Sequence, residues 1–179
     1  MAGGSIAFTW GSTIAERAMV FPCDRYLSHT DGIYFRAVDV QAPAHTIFQW
    51  LCQLRAAPYS YDWIDNRGRQ SPRYLNPELE HLAVGQRVAS IFQLVEFEPD
   101  RHLTIVMAST QAITVLGEVA ISYVILPRTT QKCRLVAKLI VRYPTKHPWS
   151  LMRWCLPWGD LLMMRKQLLT FKHLAEGQP

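Results

Sequence analysis

The chain has 179 residues, of which 49% are hydrophobic and 18% charged, a size and composition that give one folded domain and exclude a disordered or low-complexity chain. The net charge of +5 is too small to indicate a nucleic-acid-binding protein by itself. The positive excess is uneven, because residues 128–179 carry ten Lys and Arg against two Asp and Glu. We therefore expect an anionic partner to meet the C-terminal third of the chain.

The cysteines and the hydropathy pattern predict a cytoplasmic protein, with membrane association left open. Cys23, Cys52, Cys133 and Cys155 form no C-x-x-C pair, and three of the four lie in apolar stretches, which indicates free thiols in a reducing compartment. The N-terminus lacks the basic and apolar regions of a signal peptide. The longest apolar run, 149–164, is interrupted by charged and turn-forming residues, so no spanning helix is expected.

The first elements in chain order are an extension and a strand. Residues 1–31 mix turn formers with one short apolar piece at 14–21, and we expect this N-terminal extension to pack on a single domain of residues 32–179. A run of β-branched and aromatic residues at 33–40 then predicts the first strand.

Two short helices are predicted after this strand. Pro43 suits the first turn of a helix, and an apolar stripe at helical spacing follows through 45–54. Asn76 and the proline after it are typical of a capped helix start, so residues 76–80 are predicted to form the second helix.

The middle of the chain is predicted to form a series of antiparallel strands. Residues 87–97 and 102–107 predict a hairpin joined by a turn at 98–101, and two longer strands follow at 115–126 and 132–143.

Charged residues alternate with apolar ones along the last of these strands. Arg134, Lys138 and Arg142 share one face, and the opposite face is apolar, which predicts a sheet with one face on a core and the other toward water. Whether a basic residue is buried must also be asked for Arg36 in the predicted first strand. If the register places Arg36 or Arg142 inside, that residue needs a carboxylate or an anionic ligand, because an unpaired buried charge is costly.

A long amphipathic helix ends the chain. Its apolar stripe recurs at spacings of three or four residues and consists of Leu161, Met164, Leu168, Phe171 and Ala175. Strands grouped together and followed by one long helix predict an α+β fold.

Several short motifs of this sequence resemble those of the START/Bet v 1-like superfamily, also called SRPBCC or polyketide cyclase/dehydrase-like, and of a bacterial branch within it. These motifs, in chain order, are Trp10-Gly11, Pro22-Cys23-Asp24, Ala42-Pro43, Trp50-Leu51-Cys52-Gln53, Tyr59-Ser60-Tyr61-Asp62, Arg165-Lys166-Gln167-Leu168 and Lys172-His173-Leu174-Ala175-Glu176. The chain departs from the pattern at Cys23, where the branch has glycine, in a shortened stretch at 54–58, and in a Trp-rich piece at 148–159.

The resemblance implies a helix-grip fold, in which a curved antiparallel sheet of six or seven strands surrounds the C-terminal helix and leaves a cavity between them. Members of the superfamily bind apolar molecules there, so the expected ligand is a small hydrophobic molecule such as a lipid, a polyketide or an isoprenoid. A partly filled space between a curved sheet and one helix has the apolar walls and few polar groups of a small-molecule site.

The candidate ligand-binding residues are aromatic and apolar side chains on the elements that would face this cavity. They are Trp50, Tyr59, Tyr61, Trp63, Met107, Tyr123, Leu139, Tyr143, Met164, Leu168 and Phe171. The first four lie where the short helices would form a rim, and the two later tyrosines would offer hydroxyl groups at depth. The same spacing also fits a filled core, and this alternative stays open.

The sequence predicts no metal and no cofactor. None of the six histidines stands at metal-ligand spacing from another histidine or a cysteine, and no nucleotide-binding or nucleophile motif occurs. His45 and Cys52 lie about two helical turns apart, too far for a base and its nucleophile. A cyclase or hydrolase acting in the cavity remains an alternative, which a polar pair within hydrogen-bond reach there would favour over a binding module.

The Trp-rich segment 148–158 lies in the basic third and supports a further alternative. Trp and Arg side chains suit the surface of an anionic membrane, so the segment fits a peripheral lipid-binding or lipid-transfer protein, although a lid or a dimer contact fits it too. Nucleic acid is not an expected partner, because the aromatic residues lie on predicted core faces and do not alternate with basic residues. We expect a monomer or a weak dimer.

Overall fold

The computed structural model describes residues 5–61, 68 and 70–177. The strands are β1 Gly32–Val40, β2 Arg87–Val88, β3 Phe92–Glu98, β4 His102–Met107, β5 Glu118–Thr129 and β6 Lys132–Arg142. The α-helices are α1 Ile6–Thr9, α2 Ile14–Arg17, α3 Ala44–Cys52, α4 Thr110–Leu116 and α5 Met152–Glu176. Short 3-10 helices lie at Pro22–Arg25, Gln53–Arg55, Pro77–Glu80 and Trp149–Leu151.

These elements form an α+β helix-grip fold, as the sequence predicts. The six strands make one curved antiparallel sheet in the order β1-β6-β5-β4-β3-β2, with the first strand of the chain paired to the last. Helix α5 packs chiefly against β1, and α3 lies beside it. Because the helix lies over one side of the sheet, the half built from β3, β4 and β5 faces a space that the helix fills only in part.

Two strand boundaries predicted from the sequence are wrong. The segment 87–97 is not one strand, because Ala89 and Ser90 adopt φ angles of 45° and 65° and separate β2 from β3. The strand predicted at 115–126 begins only at Glu118, since Val115 belongs to α4 and the left-handed Gly117 ends that helix. A side chain at Gly117 would place its Cβ 2.1 Å from the carbonyl oxygen of Arg142, so this junction requires glycine.

The N-terminal extension passes around the edge strand β1 and contacts both faces of the sheet. Phe8 packs edge-on against Tyr34 of the inner face, whereas Phe21 packs against Phe35 of the outer face. At the crossing, the Ala37 N–H donates to the carbonyl of Trp10, and a Cβ on the next residue, Gly11, would lie 2.0 Å from the Ala37 oxygen. This glycine with φ of 73° allows the close approach.

The outer face of the sheet therefore does not face water along its centre, contrary to the expectation from alternation. A second apolar cluster lies there, formed by Phe21, Cys23, Phe35, Ala37, Ala120, Val136 and Ile140. Cys23 sits in a 3-10 turn, and its N–H donates to Ser122 Oγ at 2.8 Å. The turn needs no positive φ at this position, which explains why cysteine is accepted there.

Two basic residues of the outer face are buried under the extension, which brings its own acidic partners. Arg134 is paired with Glu16 and, at 3.1 Å, with Asp39. Lys138 lies 2.5 Å from Asp24 and above the ring of Phe21. Only Arg142, beyond the reach of the extension, keeps the exposed position that the sequence predicts for all three.

Glu16 is buried and ionised for an identifiable reason. Burial opposes its charge, but hydrogen bonds from Arg134 and from Thr13 outweigh that effect and lower the pKa of Glu16. The Thr13 bonds form a capping box that starts α2.

The substitution Glu16→Gln is expected to lower the free energy of unfolding by about 3 kcal/mol, because it leaves the buried Arg134 with only the exposed Asp39 as a charged partner. Glutamine still completes the capping box, so the loss isolates the ion pair. Urea denaturation at neutral pH measures the change.

Glu118→Gln is the matched control, because its partner Arg142 lies on the same strand, β6, as Arg134. It removes the partner of Arg142, and both side chains of that pair are about half exposed. We expect a loss below about 1 kcal/mol. Equal losses in the two variants would contradict the buried role of the extension.

Candidate functional site

A cavity of about 480 Å³ lies between α5 and the inner face of the sheet. Its walls come from β3 to β6, from the β2–β3 junction and from one side of α5. The apolar lining includes Leu54, Val88, Ile91, Phe92, Ile105, Met107, Leu116, Val119, Ile121, Leu139, Val141, Leu156, Met163 and Met164. The volume and the apolar walls are those of a small-molecule site.

A buried ion pair borders this cavity through its acidic member, Asp160. Arg36 is 0% exposed, and its Nη2 donates to Asp160 Oδ2 at 2.8 Å. The same guanidinium donates to the carbonyl of Ala7 at 2.7 Å and to that of Phe35 at 2.9 Å. Arg36 thus joins α1, β1 and α5, while the Asp160 carboxyl reaches the cavity surface.

The Asp160 carboxyl is unusual for an acid at the surface of a cavity. Its side chain is only 12% exposed, and burial raises its pKa from 3.8 to about 6, although Arg36 favours the carboxylate. Desolvation therefore outweighs the neighbouring charge. Both the protonated and the ionised form are accessible near neutral pH, which is a property of groups that exchange protons with a ligand.

Two further hydrogen-bonded pairs border the cavity. The Tyr123 hydroxyl donates to Gln167 Oε1 at 2.8 Å, and Gln167 Nε2 donates to the carbonyl of Pro58 at 2.6 Å. The hydroxyl groups of Tyr34 and Tyr143 form the other pair. Burial raises the pKa of Tyr34 and of Tyr123, so both phenols are neutral at physiological pH.

The candidate residues predicted from the sequence divide into two groups. Met107, Tyr123, Leu139 and Met164 line the cavity together. The other candidates that fall on described residues are not part of its lining.

Most of the second group packs in the core behind the cavity wall. Tyr59 lies between Trp50 and Phe171, with ring centroids 6.0 Å and 5.3 Å away, and Leu168 is fully buried beside them. Tyr143 contacts the cavity through Tyr34, Tyr61 is half-buried outside the lining, and Trp63 lies outside the described residues.

Sequence reasoning did not identify Asp160, Gln167 or the β2–β3 junction as cavity residues. A signal for the first was present, because Asp160 is the one acidic residue of α5 before its last residue, Glu176, and Arg36 is the one basic residue of β1. Each of two such charges needs a partner, so they could have been paired with each other. Nothing local in the sequence indicates the backbone geometry at Ala89 and Ser90.

No group of three or more metal-ligating side chains occurs among residues 5–61, 68 and 70–177. Within the same ranges, no helix has the length and apolarity needed to cross a bilayer.

Solved structures similar to this chain share its fold. No family profile matches the sequence, and no curated protein is similar to it. A hypothetical protein from Helicobacter pylori aligns with a TM-score of 0.53 at 11% identity, over 88% of this chain and 96% of that one. A protein from Chromobacterium violaceum aligns with a TM-score of 0.51 at 13% identity, over 82% and 98%.

A further similar structure is the di-domain ARO/CYC BexL from the BE-7585A biosynthetic pathway. It aligns with a TM-score of 0.53 at 12% identity, over 80% of this chain and 46% of BexL. At these identities the likeness concerns the fold, which is consistent with a polyketide cyclase or SRPBCC-like fold.

Asp160→Asn is expected to change how stability depends on pH. The folded protein holds the Asp160 proton up to about pH 6, whereas the unfolded chain releases it near 3.8. The stability that this group contributes is therefore fully present below the unfolded pKa and is lost, by about 3 kcal/mol, as the pH rises through 6. The variant lacks this loss. Its free energy of unfolding, measured by urea denaturation, should therefore rise relative to that of the wild type between about pH 4 and pH 7.

Glu78→Gln supplies the control, because it removes one carboxylate from an exposed position. The difference in free energy of unfolding between Glu78→Gln and the wild type should stay nearly constant over the same pH range. A constant difference for Asp160→Asn as well would contradict the raised pKa of Asp160.

Proposed function

We propose that this protein binds a small hydrophobic ligand in the cavity between the sheet and α5. The observation that carries the proposal is the cavity itself, because about 480 Å³ remains unfilled between apolar walls inside an otherwise closely packed domain. A ligand that buries about 300 Å² of apolar surface gains roughly 7 kcal/mol before the costs of association.

The polar groups at the cavity restrict the chemical class of ligand that fits it. Asp160 presents a carboxyl with one oxygen already held by Arg36, while the tyrosine and glutamine pairs are hydrogen-bonded among themselves. The ligand that fits best has an apolar body and one hydroxyl or other hydrogen-bonding group that reaches Asp160. Lipid, polyketide and isoprenoid alcohols belong to this class.

We propose in addition that the chain belongs to the START/Bet v 1-like superfamily. The order of short motifs along the sequence and the helix-grip fold both support this assignment, and the likeness to an ARO/CYC protein agrees with it.

Filling the cavity tests the proposed binding. Val119 lines the cavity and is 7% exposed, so Val119→Phe adds bulk where space is available. We expect the affinity for the apolar fluorophore N-phenyl-1-naphthylamine to fall about tenfold or more, while the thermal midpoint stays at or above that of the wild type, because the added ring fills a void. Fluorescence titration and thermal denaturation measure the two quantities.

Val84→Phe is the matched control, since Val84 is 65% exposed and outside the cavity lining. It should bind the fluorophore like the wild type. Retained binding in a stable Val119→Phe variant would exclude this cavity as the site. Native mass spectrometry of protein purified from its own host would then identify the ligand by mass.

A second candidate function, acid–base catalysis on an apolar substrate, is favoured by one observation. Asp160 and Arg36 form a polar pair within hydrogen-bond reach at the cavity, and the pKa of Asp160 lies near neutrality. A cyclase or hydrolase would use the carboxyl to move a proton, and BexL, a protein of similar structure, is a di-domain ARO/CYC.

Comparison of co-purified molecules separates the two functions. If Asp160 catalyses a reaction, Asp160→Asn protein should retain an unreacted substrate whose mass differs from that of the molecule bound to the wild type. If the protein only binds, both forms should carry the same mass or the variant should carry none.

A further inference from the structure

The first half of α5 presents an apolar face to solvent on the side away from the cavity. Trp154, Trp158 and Leu162 recur at intervals of four residues and so share one side of the helix, and Leu151 precedes them. Their exposed fractions are 74%, 55% and 61%, and that of Leu151 is 54%. We call these four residues the tryptophan face.

The opposite side of the same helix lines the cavity. Leu156, Asp160 and Met163 contribute to the cavity wall, and they alternate along α5 with the residues of the tryptophan face. Anything that contacts the tryptophan face is therefore separated from the cavity by a single helix.

The tryptophan face is larger and more apolar than the scattered exposed residues that are normal on a soluble protein. Tryptophan has a broad apolar ring and one N–H donor, and it is enriched at the level of lipid headgroups for that reason. Leucine beside it adds side chains that enter the acyl region.

The charge around the tryptophan face is positive. Arg165 and Lys166 are exposed on α5, three and four residues after Leu162. The one acidic residue between positions 144 and 175 is Asp160, and it is buried against Arg36. A surface with exposed tryptophan, leucine and basic residues, and no exposed carboxylate in this stretch, is complementary to an anionic bilayer.

A second copy of the chain fits the same surface less well. A stable protein interface uses about 20–30 residues on each side, and the tryptophan face has four. In a symmetric dimer the surrounding basic residues would also face their own copies across the interface, which like charges oppose.

We propose that the tryptophan face docks the protein onto anionic membranes. The helix would lie along the bilayer surface, with Trp154 and Trp158 at the headgroup level and the cavity on the side of α5 away from the lipid. The inference goes beyond the proposed ligand binding and does not depend on it.

Vesicle flotation with the full chain tests the docking. Wild-type protein should float with vesicles of equal parts phosphatidylcholine and phosphatidylglycerol, and about tenfold less with phosphatidylcholine alone. Trp154→Gln/Trp158→Gln should reduce flotation on the anionic vesicles about tenfold, because it removes both interfacial rings and keeps a helix-forming residue at each position.

Two control variants make the result specific. Ile14→Gln/Val84→Gln replaces two apolar residues that are 79% and 65% exposed elsewhere, and it should float like the wild type. Lys166→Gln should weaken binding to anionic vesicles and reduce its sensitivity to salt. It leaves Arg165 in place, because that side chain packs over the ring of Trp10.

The outcomes decide the proposal. No flotation of the wild type on anionic vesicles, or equal flotation of the tryptophan variant, would overturn it. A concentration-dependent dimer that the tryptophan variant abolishes, seen by light scattering, would assign the face to a second copy and overturn it as well. Val119→Phe should float like the wild type. Failure of the proposed ligand site and failure of the proposed docking surface therefore give different results.

Discussion

The buried guanidinium of Arg36 fixes where the long helix lies on the sheet. It reaches a carbonyl of α1, a carbonyl of its own strand and the carboxyl of Asp160, so three elements from distant parts of the chain meet at one side chain. A guanidinium needs several oxygen partners when it is buried, and α1, β1 and α5 supply them at this point. The position of α5 over β1 follows, and with it the unfilled space above β3, β4 and β5.

The cavity is thus a consequence of electrostatics as much as of curvature. A shift of α5 toward the centre of the sheet would separate Arg36 from Asp160 and leave each buried charge without this partner. The same pair places a carboxyl with a raised pKa at the surface of an apolar cavity, where it can hydrogen-bond to a ligand.

Much of the fold could be predicted from the sequence, because the strongest patterns are periodic. The alternation in β6 and the stripe of α5 identify the inner face of the sheet and its helix, and Asn76 caps its short helix as expected. The strand boundaries at Ala89 and Gly117 were not predicted correctly, because they depend on backbone angles that the side chains there do not indicate.

The candidate site was predicted less completely than the fold. Apolar wall residues such as Met107 and Leu139 follow from the strand register, so they could be identified. The ion pair that borders the cavity depends on a contact between positions 36 and 160, which no local pattern encodes. Burial of Arg134 and Lys138 was missed for the same reason, because their partners lie more than a hundred residues earlier in the chain.

The pairing of β1 with β6 has a consequence for synthesis of the protein on the ribosome. Strand β1 is synthesised well before its sheet neighbour among the described residues, β6 at residues 132–142, and the helix that packs against it comes later still. The nascent chain therefore carries an unpaired apolar strand until β6 has been synthesised, which favours slow closure and a need for protection from aggregation during elongation.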